Sequence, residues 1–198
     1  MTAVLRPLVR RALEHAGLRE VAERVLAGAA LTPADAERLR AADVLAVAAL
    51  ADAVRERAHG DEVVLIDLGV SSDAGLEGLV LARPELGVTD GATGLDALRE
   101  VAMARLTTPF EHRLGVSFDA LGEGLAQAAL TFGASVLVGT LTRRAVLPLA
   151  DDASSRAKRA ELLGRVERAG RRARWLDDTA SSSADTSGSA QSPAGASA

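Results

Sequence analysis

The stretch from Leu114 to Leu141 constrains the fold most, because it sets two strand-like runs around one helix with short connections. Leu114 to Phe118 has strand character. Leu121, Leu125, Ala128, Ala129 and Phe132 then fall on one helical face that ends at Gly133, and Ser135 to Leu141 is a continuous apolar run. Strand, helix and strand joined this closely form a βαβ unit, whose two strands lie parallel. The expected class is therefore α/β.

The remaining pattern is mostly helical. Leu5, Leu8, Val9, Ala12, Leu13 and Ala16 share a face that Gly17 ends, and Leu18, Val21, Ala22, Val25 and Leu26 make a second short helix before Gly28. Thr32-Pro33-Ala34-Asp35 carries a helix start: Thr32 as cap, Pro33 where a missing N–H costs nothing, and Asp35 reaching back. Asp43 is placed to cap a further helix that runs to about Ala58. Glu62 to Asp67 reads as a buried strand, Gly69 to Gly75 as a turn, Gly78 to Ala82 as a weaker strand and Arg83 to Gly94 as loop. Leu95, Leu98, Val101, Ala102 and Leu106 mark another helix, and a last one is expected over Ser154 to Arg172. The division that follows is a helical lead-in over 1–60, an α/β unit over 61–175, and a tail over 176–198. The tail's Ser, Ala, Gly, Thr and Asp predict disorder.

Composition narrows the chemistry. Of 198 residues 48% are apolar but only 2% aromatic, so the core is built from Ala, Leu and Val and the chain leans to helix. Cysteine is absent, which removes disulfides, thiolate metal sites and cysteine nucleophiles. His15, His59 and His112 are scattered, without a metal-ligand spacing, so no metal and no cofactor is expected. The net charge of −4 argues against a nucleic-acid binder. The basic run from Arg143 and Arg144 to Arg174 lacks interleaved aromatics, which fits helix-end capping better than a nucleic-acid surface. No apolar run reaches the roughly 18 residues of a membrane span, and the Arg-containing N-terminus is a poor secretory signal, so a cytoplasmic location is expected.

Catalytic motifs are missing as well. Gly122-Glu123-Gly124 lacks the third glycine of a dinucleotide loop, and Gly69-Val70-Ser71-Ser72-Asp73 lacks the glycine after the serine of a nucleophile elbow. Asp61-Glu62 and Asp151-Asp152 read as solvated charges flanking helices. His59, before Gly60, and His15 sit where a helix dipole favours a cation. His112, at the entry to a strand, is the better candidate for a ligand contact.

Two stretches carry a resemblance. ALTPADAERLRAADVLAVAALADAVRERAHGDEVVLI, from Ala30 to Ile66, is similar to the lead-in of the radical-SAM enzymes of the futalosine route to menaquinone, aminofutalosine synthase and dehypoxanthine futalosine cyclase. LDALREVAMARL, from Leu95 to Leu106, and LGEGLAQAALTFGASVLVGTL, from Leu121 to Leu141, resemble that family's late segments, with Arg105, Gln127, Gly133, Ala134, Gly139 and Thr140 matching in order. The resemblance implies a partial (β/α) barrel remnant behind an N-terminal helical layer, with the βαβ unit near the C-terminal end. Between Ile66 and Leu95 the family carries its cysteine motif and most of its barrel, and here there is neither. Without cysteine the cluster that binds and reduces S-adenosylmethionine has no ligands, so radical initiation is excluded on this chain.

The expected function is that of a non-catalytic relative, a partner or regulator of a full-length radical-SAM paralogue in menaquinone biosynthesis, or a homo-oligomer closing its own broken barrel edge. Arg105, Gln127, Gly133, Gly139 and Thr140 are then structural positions, and no residue is assigned a catalytic role. The alternative is a small-molecule binding protein that takes a nucleoside or anionic metabolite at the strand ends, with His112, Thr140 and Arg143 as its contacts. An independent cofactorless enzyme using His112 and a carboxylate, and a decaying remnant without function, stand behind these two.

Overall fold

The computed structural model describes residues 6–69, 77–82, 93–141 and 153–176. Four helices open the chain: α1 (Pro7–His15), α2 (Arg19–Leu26), α3 (Pro33–Ala41) and α4 (Val44–His59). Strands β1 (Glu62–Asp67) and β2 (Leu79–Ala82) follow, then α5 (Gly94–Thr107), β3 (Arg113–Ser117) and α6 (Phe118–Ala129), which tightens into a 3-10 turn at Leu130–Phe132. The last elements are β4 (Val136–Gly139), α7 (Ala153–Arg168) and β5 (Arg172–Trp175).

The helix starts follow the local chemistry. Thr32 and Asp35 form the reciprocal capping box expected from the sequence, and the Asp35 carboxylate also takes an ion pair from Arg24. Asp43 accepts from the Leu45 and Ala46 N–H groups at 2.9 and 3.1 Å and begins α4. A second capping box, Thr93 with Asp96, starts α5. Helix α4 is buried at Val44, Ala46, Val47, Ala48, Leu50, Ala51 and Val54, which is most of its circumference. A helix apolar nearly all round belongs inside a core, and its alanines let α5 and the 3-10 turn approach closely.

The five strands form one parallel sheet in the order β2-β3-β4-β1-β5. Alternate residues serve opposite faces. Val63, Leu65, Leu114, Val116, Leu137 and Trp175 join the helices in the main core, while Val64, Ile66, Val136 and Val138 form a second cluster on the reverse side. Strands buried on both faces read as unbroken apolar runs, which is why β1 and β4 stand out in the sequence.

The βαβ unit is present as expected, with Gly115 opposite Val136 and Ser117 opposite Val138. The order of the sheet differs from a continuous piece of barrel wall, in which β1 would pair with β2. Here β1 lies between β4 and β5, and β2 occupies the far edge. The final helix is also shorter than its expected end at Arg172. Gly170, at φ 76°, turns the chain out of the helix, and Arg172–Trp175 pair with Glu62–Leu65 as an edge strand. The turn expected over Gly69 to Gly75 and the tail over 176–198 fall, apart from Gly69 and Leu176, outside the described residues.

The Phe118 ring lies directly across Gly139, so tightly that a Cβ there would enter the ring. Gly139→Ala is expected to destabilise the fold by about 1–3 kcal/mol through overpacking. Urea unfolding of the single variants and of Gly139→Ala/Phe118→Ala tests this: the alanine at 139 costs much less once the ring is gone, and an additive double variant refutes the contact.

Candidate functional site

All five strands point their carboxyl ends to one edge of the sheet. There the chain leaves β1 toward β2 and leaves β4 toward β5, in opposite directions along the strand order. The two connections therefore pass each other across the β4–β1 boundary, and what remains comparable with other parallel α/β sheets is the position at the carboxyl ends of the strands, where ligands usually bind. Asp67 closes β1 at this point and is fully buried. Its Oδ1 accepts the Gly69 N–H at 3.0 Å and the Leu141 N–H at 3.1 Å, so one carboxylate ties the turn after β1 to the turn after β4. The Arg159 guanidinium of α7 stands 3.9 Å from Oδ2 and lies 4.0 Å over the centre of the Trp175 ring. A buried carboxylate is tolerated only with such partners, because desolvation otherwise drives it neutral. Next to it, Asp119 accepts the Thr140 N–H at 2.8 Å and fixes the end of β4.

Beside this junction α6 and α7 leave a cleft floored by Phe118, Leu141 and Leu162, with Glu123, Lys158, Glu161 and Arg165 at its rim. Its volume of about 20 Å³ suits a single ordered water, so a larger ligand requires the flanking side chains to move. Arg165 spans the rim, pairing with Glu161 at 2.7 Å and Glu123 at 2.9 Å.

The amino edge holds a different cluster. Arg105 is fully buried and faces carbonyls in place of a carboxylate: Nη1 donates to His112 O, and Nη2 to Thr108 O and Pro109 O, each at 2.8 Å. These bonds fix the link between α5 and β3. Gly133, at φ 96°, presses against the stem of Arg105, where a Cβ would lie 2.7 Å from its Cγ. Arg55, also fully buried, donates to Asp52 at 2.8 Å and to Gly60 O, while Asp52 holds Arg171 with both oxygens. Between them His59 Nε2 donates to His112 O at 3.1 Å. Burial lowers the His59 pKa first, and Arg113, Arg105 and Arg55 lower it further, against the raising effect of the His112 carbonyl. Burial and the three arginines thus favour the neutral ring, against the cation that the helix dipole alone would favour.

The residues singled out from the sequence divide between the two edges. Arg105 and Gly133 meet at the amino side, and Gly139 and Thr140 lie at the carboxyl side. Gln127 Nε2 reaches Arg165 O at 3.5 Å and joins α6 to α7. His112 enters β3 while Thr140 leaves β4, so a strand length of about 16 Å separates them and they do not share a site. Arg143, Asp151 and Asp152 lie outside the described residues. Asp61 and Glu62 are ion-paired across strands, not simply solvated: Asp61 holds Arg172 at 2.6 Å, and Glu62 holds Arg113 at 2.7 Å and Arg174 at 3.3 Å. Sequence reasoning missed Asp67, Arg159 and Trp175. The available signal was an aspartate ending an otherwise apolar strand.

Among the described residues no group of three or more His, Asp or Glu side chains could hold a metal ion, and no helix is long and apolar enough to cross a membrane. No protein-family model, no curated protein and no solved structure matches the chain.

Because its pKa is lowered in the fold, His59 contributes a stability that is complete above its unfolded value of 6.5 and is lost as pH falls through the lower folded value. His59→Gln keeps an N–H donor without the proton uptake. The urea midpoint of the wild type is expected to fall more steeply than that of His59→Gln below pH 6.5, and parallel curves would remove His59 from the acid response.

Proposed function

We propose that this protein binds a small anionic metabolite of the nucleoside type at the carboxyl edge between β1 and β4. The observation that carries the reading is the Asp67 junction, where one buried carboxylate ties the turn after β1 to the turn after β4 beside the Arg159–Trp175 stack. The Arg159 guanidinium, backed by the buried Trp175 indole, offers its other flat face to a planar base, and an acidic group has Arg159 and Lys158 of α7. The Leu68 side chain, 54% exposed, directly follows β1 and supplies apolar surface beside the strand end. The reading assigns no catalytic role to any residue and keeps the cytoplasmic location expected from the sequence.

A second reading follows from the β1–β4 pairing. First and last strands meet when a (β/α) barrel closes, and the two stretches similar to the futalosine radical-SAM enzymes contain β1 and β4. In this reading the chain is a barrel remnant with its middle removed, acting as a non-catalytic partner of a full-length paralogue in menaquinone biosynthesis.

Thermal denaturation with inorganic phosphate, adenosine, AMP and S-adenosylmethionine tests the first reading. AMP at ten times its Kd is expected to raise the midpoint by about 3–6 °C, and Arg159→Gln is expected to lose that rise. No shift with any of the four compounds overturns the site. Co-elution with a purified futalosine-type radical-SAM enzyme would favour the second reading.

A further inference from the structure

Among the described residues the sheet ends at β2, and this edge has the properties of a self-pairing surface. Among the described residues β2 pairs with β3 alone. The Arg113 N–H donates to Gly78 O at 2.9 Å, which sets the phase of the ladder. In a parallel pair each residue turns its N–H and C=O to the same side, and successive residues alternate. Gly78, Val80 and Ala82 therefore face β3, and Leu79 and Leu81 present their N–H and C=O groups outward.

The side chains point to the same conclusion. Val80 is 38% exposed and Leu81 is 42% exposed, on opposite faces of the sheet. The strand Leu79–Ala82 carries no charge, no proline and no bulge, the devices that ordinarily keep an edge from pairing.

We propose that β2 pairs antiparallel with β2 of a second copy of this chain, about a two-fold axis through Val80, joining two five-stranded sheets into one of ten. In this register Leu79 of one copy and Leu81 of the other form a hydrogen-bonded pair, and the reciprocal pair forms on the other side of the axis. All four outward amide and carbonyl pairs are then used. Val80 meets Val80 in the closer, non-hydrogen-bonded position, and Leu81 covers Leu79 on the reverse face. The sequence adds charge complementarity: an acidic residue, Glu77, precedes the strand and a basic one, Arg83, follows it in the chain, a pattern that is complementary to itself when reversed. A second copy is thus favoured over an unrelated strand, because the edge complements itself in hydrogen bonds, in side-chain shape and in charge.

The absence of cysteine makes the test direct. Val80→Cys places a single thiol on the axis, where Cα atoms about 4.5 Å apart allow a disulfide. Leu8→Cys, at a residue 80% exposed on α1, is the control. Under mild oxidation Val80→Cys is expected to form covalent dimer at least tenfold faster than Leu8→Cys; equal rates overturn the proposal. Light scattering after gel filtration at about 100 µM provides the second measurement. The wild type is expected at twice the monomer mass, Val80→Lys and Val80→Glu each at the monomer mass, and their equimolar mixture at the dimer mass again. A monomeric wild type, a dimeric Val80→Lys, or a mixture that stays monomeric refutes pairing through β2. Recovery in the mixture also shows that both variants fold.

Discussion

β1 has neither a free edge nor an exposed core residue, and the rest of the molecule is arranged by that fact. It pairs with β4 on one side and β5 on the other, and Val63 to Asp67 are all buried. A strand in this position must find apolar cover on both faces and a partner for every amide. Val63 and Leu65 meet the helical core, and Val64 and Ile66 meet the reverse cluster. The pairing also explains why segments far apart in the chain come together: Leu65 stands between Leu137 and Trp175, and loss of either neighbour would open a fully buried ladder.

Three buried charges fix the ends of this arrangement. Asp67 gathers backbone amides at the carboxyl edge, and Arg105 gathers backbone carbonyls at the amino edge. Arg55 joins the end of α4, through Gly60 O, to the Asp52–Arg171 pair. Each exchanges water for main-chain dipoles whose positions are set by the fold, so the cost of burying it is offset only when the turns are correctly placed. Burial lowers the pKa of both arginines, yet a guanidinium stays charged at any ordinary pH. The charge therefore selects one loop geometry at each edge. That gives Arg105 and Gly133 a shared role: the glycine is small enough to let the arginine stem pass.

Much of the architecture is legible in the sequence, for physical reasons that differ by element. Thr32 with Asp35, and Asp43, announce their helices because capping chemistry is local. β1, β3 and β4 are legible because burial on both faces leaves continuous apolar runs. β5 is not: Arg172-Ala173-Arg174-Trp175 alternates as an edge strand should, but it follows a helix rich in arginine, and only Gly170 marks the change. Thr93 with Asp96 was hidden inside a Gly-containing loop. The site was less legible than the fold. His112 and Thr140 both flank the βαβ unit in sequence, yet a parallel sheet sends strand entries and strand exits to opposite edges. Asp67 could be located as a strand end, but its partner N–H belongs to Leu141, 74 residues away.

The two proposed surfaces are independent for a geometric reason. β2 lies three strand positions from β1, about 14 Å across the sheet, so pairing at the β2 edge stays clear of the Asp67 junction. In an antiparallel dimer the carboxyl edges of the two sheets also point in opposite directions. The two Asp67 junctions then lie on opposite sides of the assembly, and neither copy completes the other's site. Ligand binding should therefore be the same in monomer and dimer. A coupling between them would have to travel through β3 and β4, most directly where Gly115 of β3 takes the side chains of Leu79 and Leu81 against Val136. Gly115 has no side chain of its own to transmit a shift, and Leu79 packs against the reverse-face cluster of Val64, Ile66, Val136 and Val138, in which Ile66 stands one residue before Asp67. Among the described residues that short apolar chain connects the β2 edge to the carboxylate.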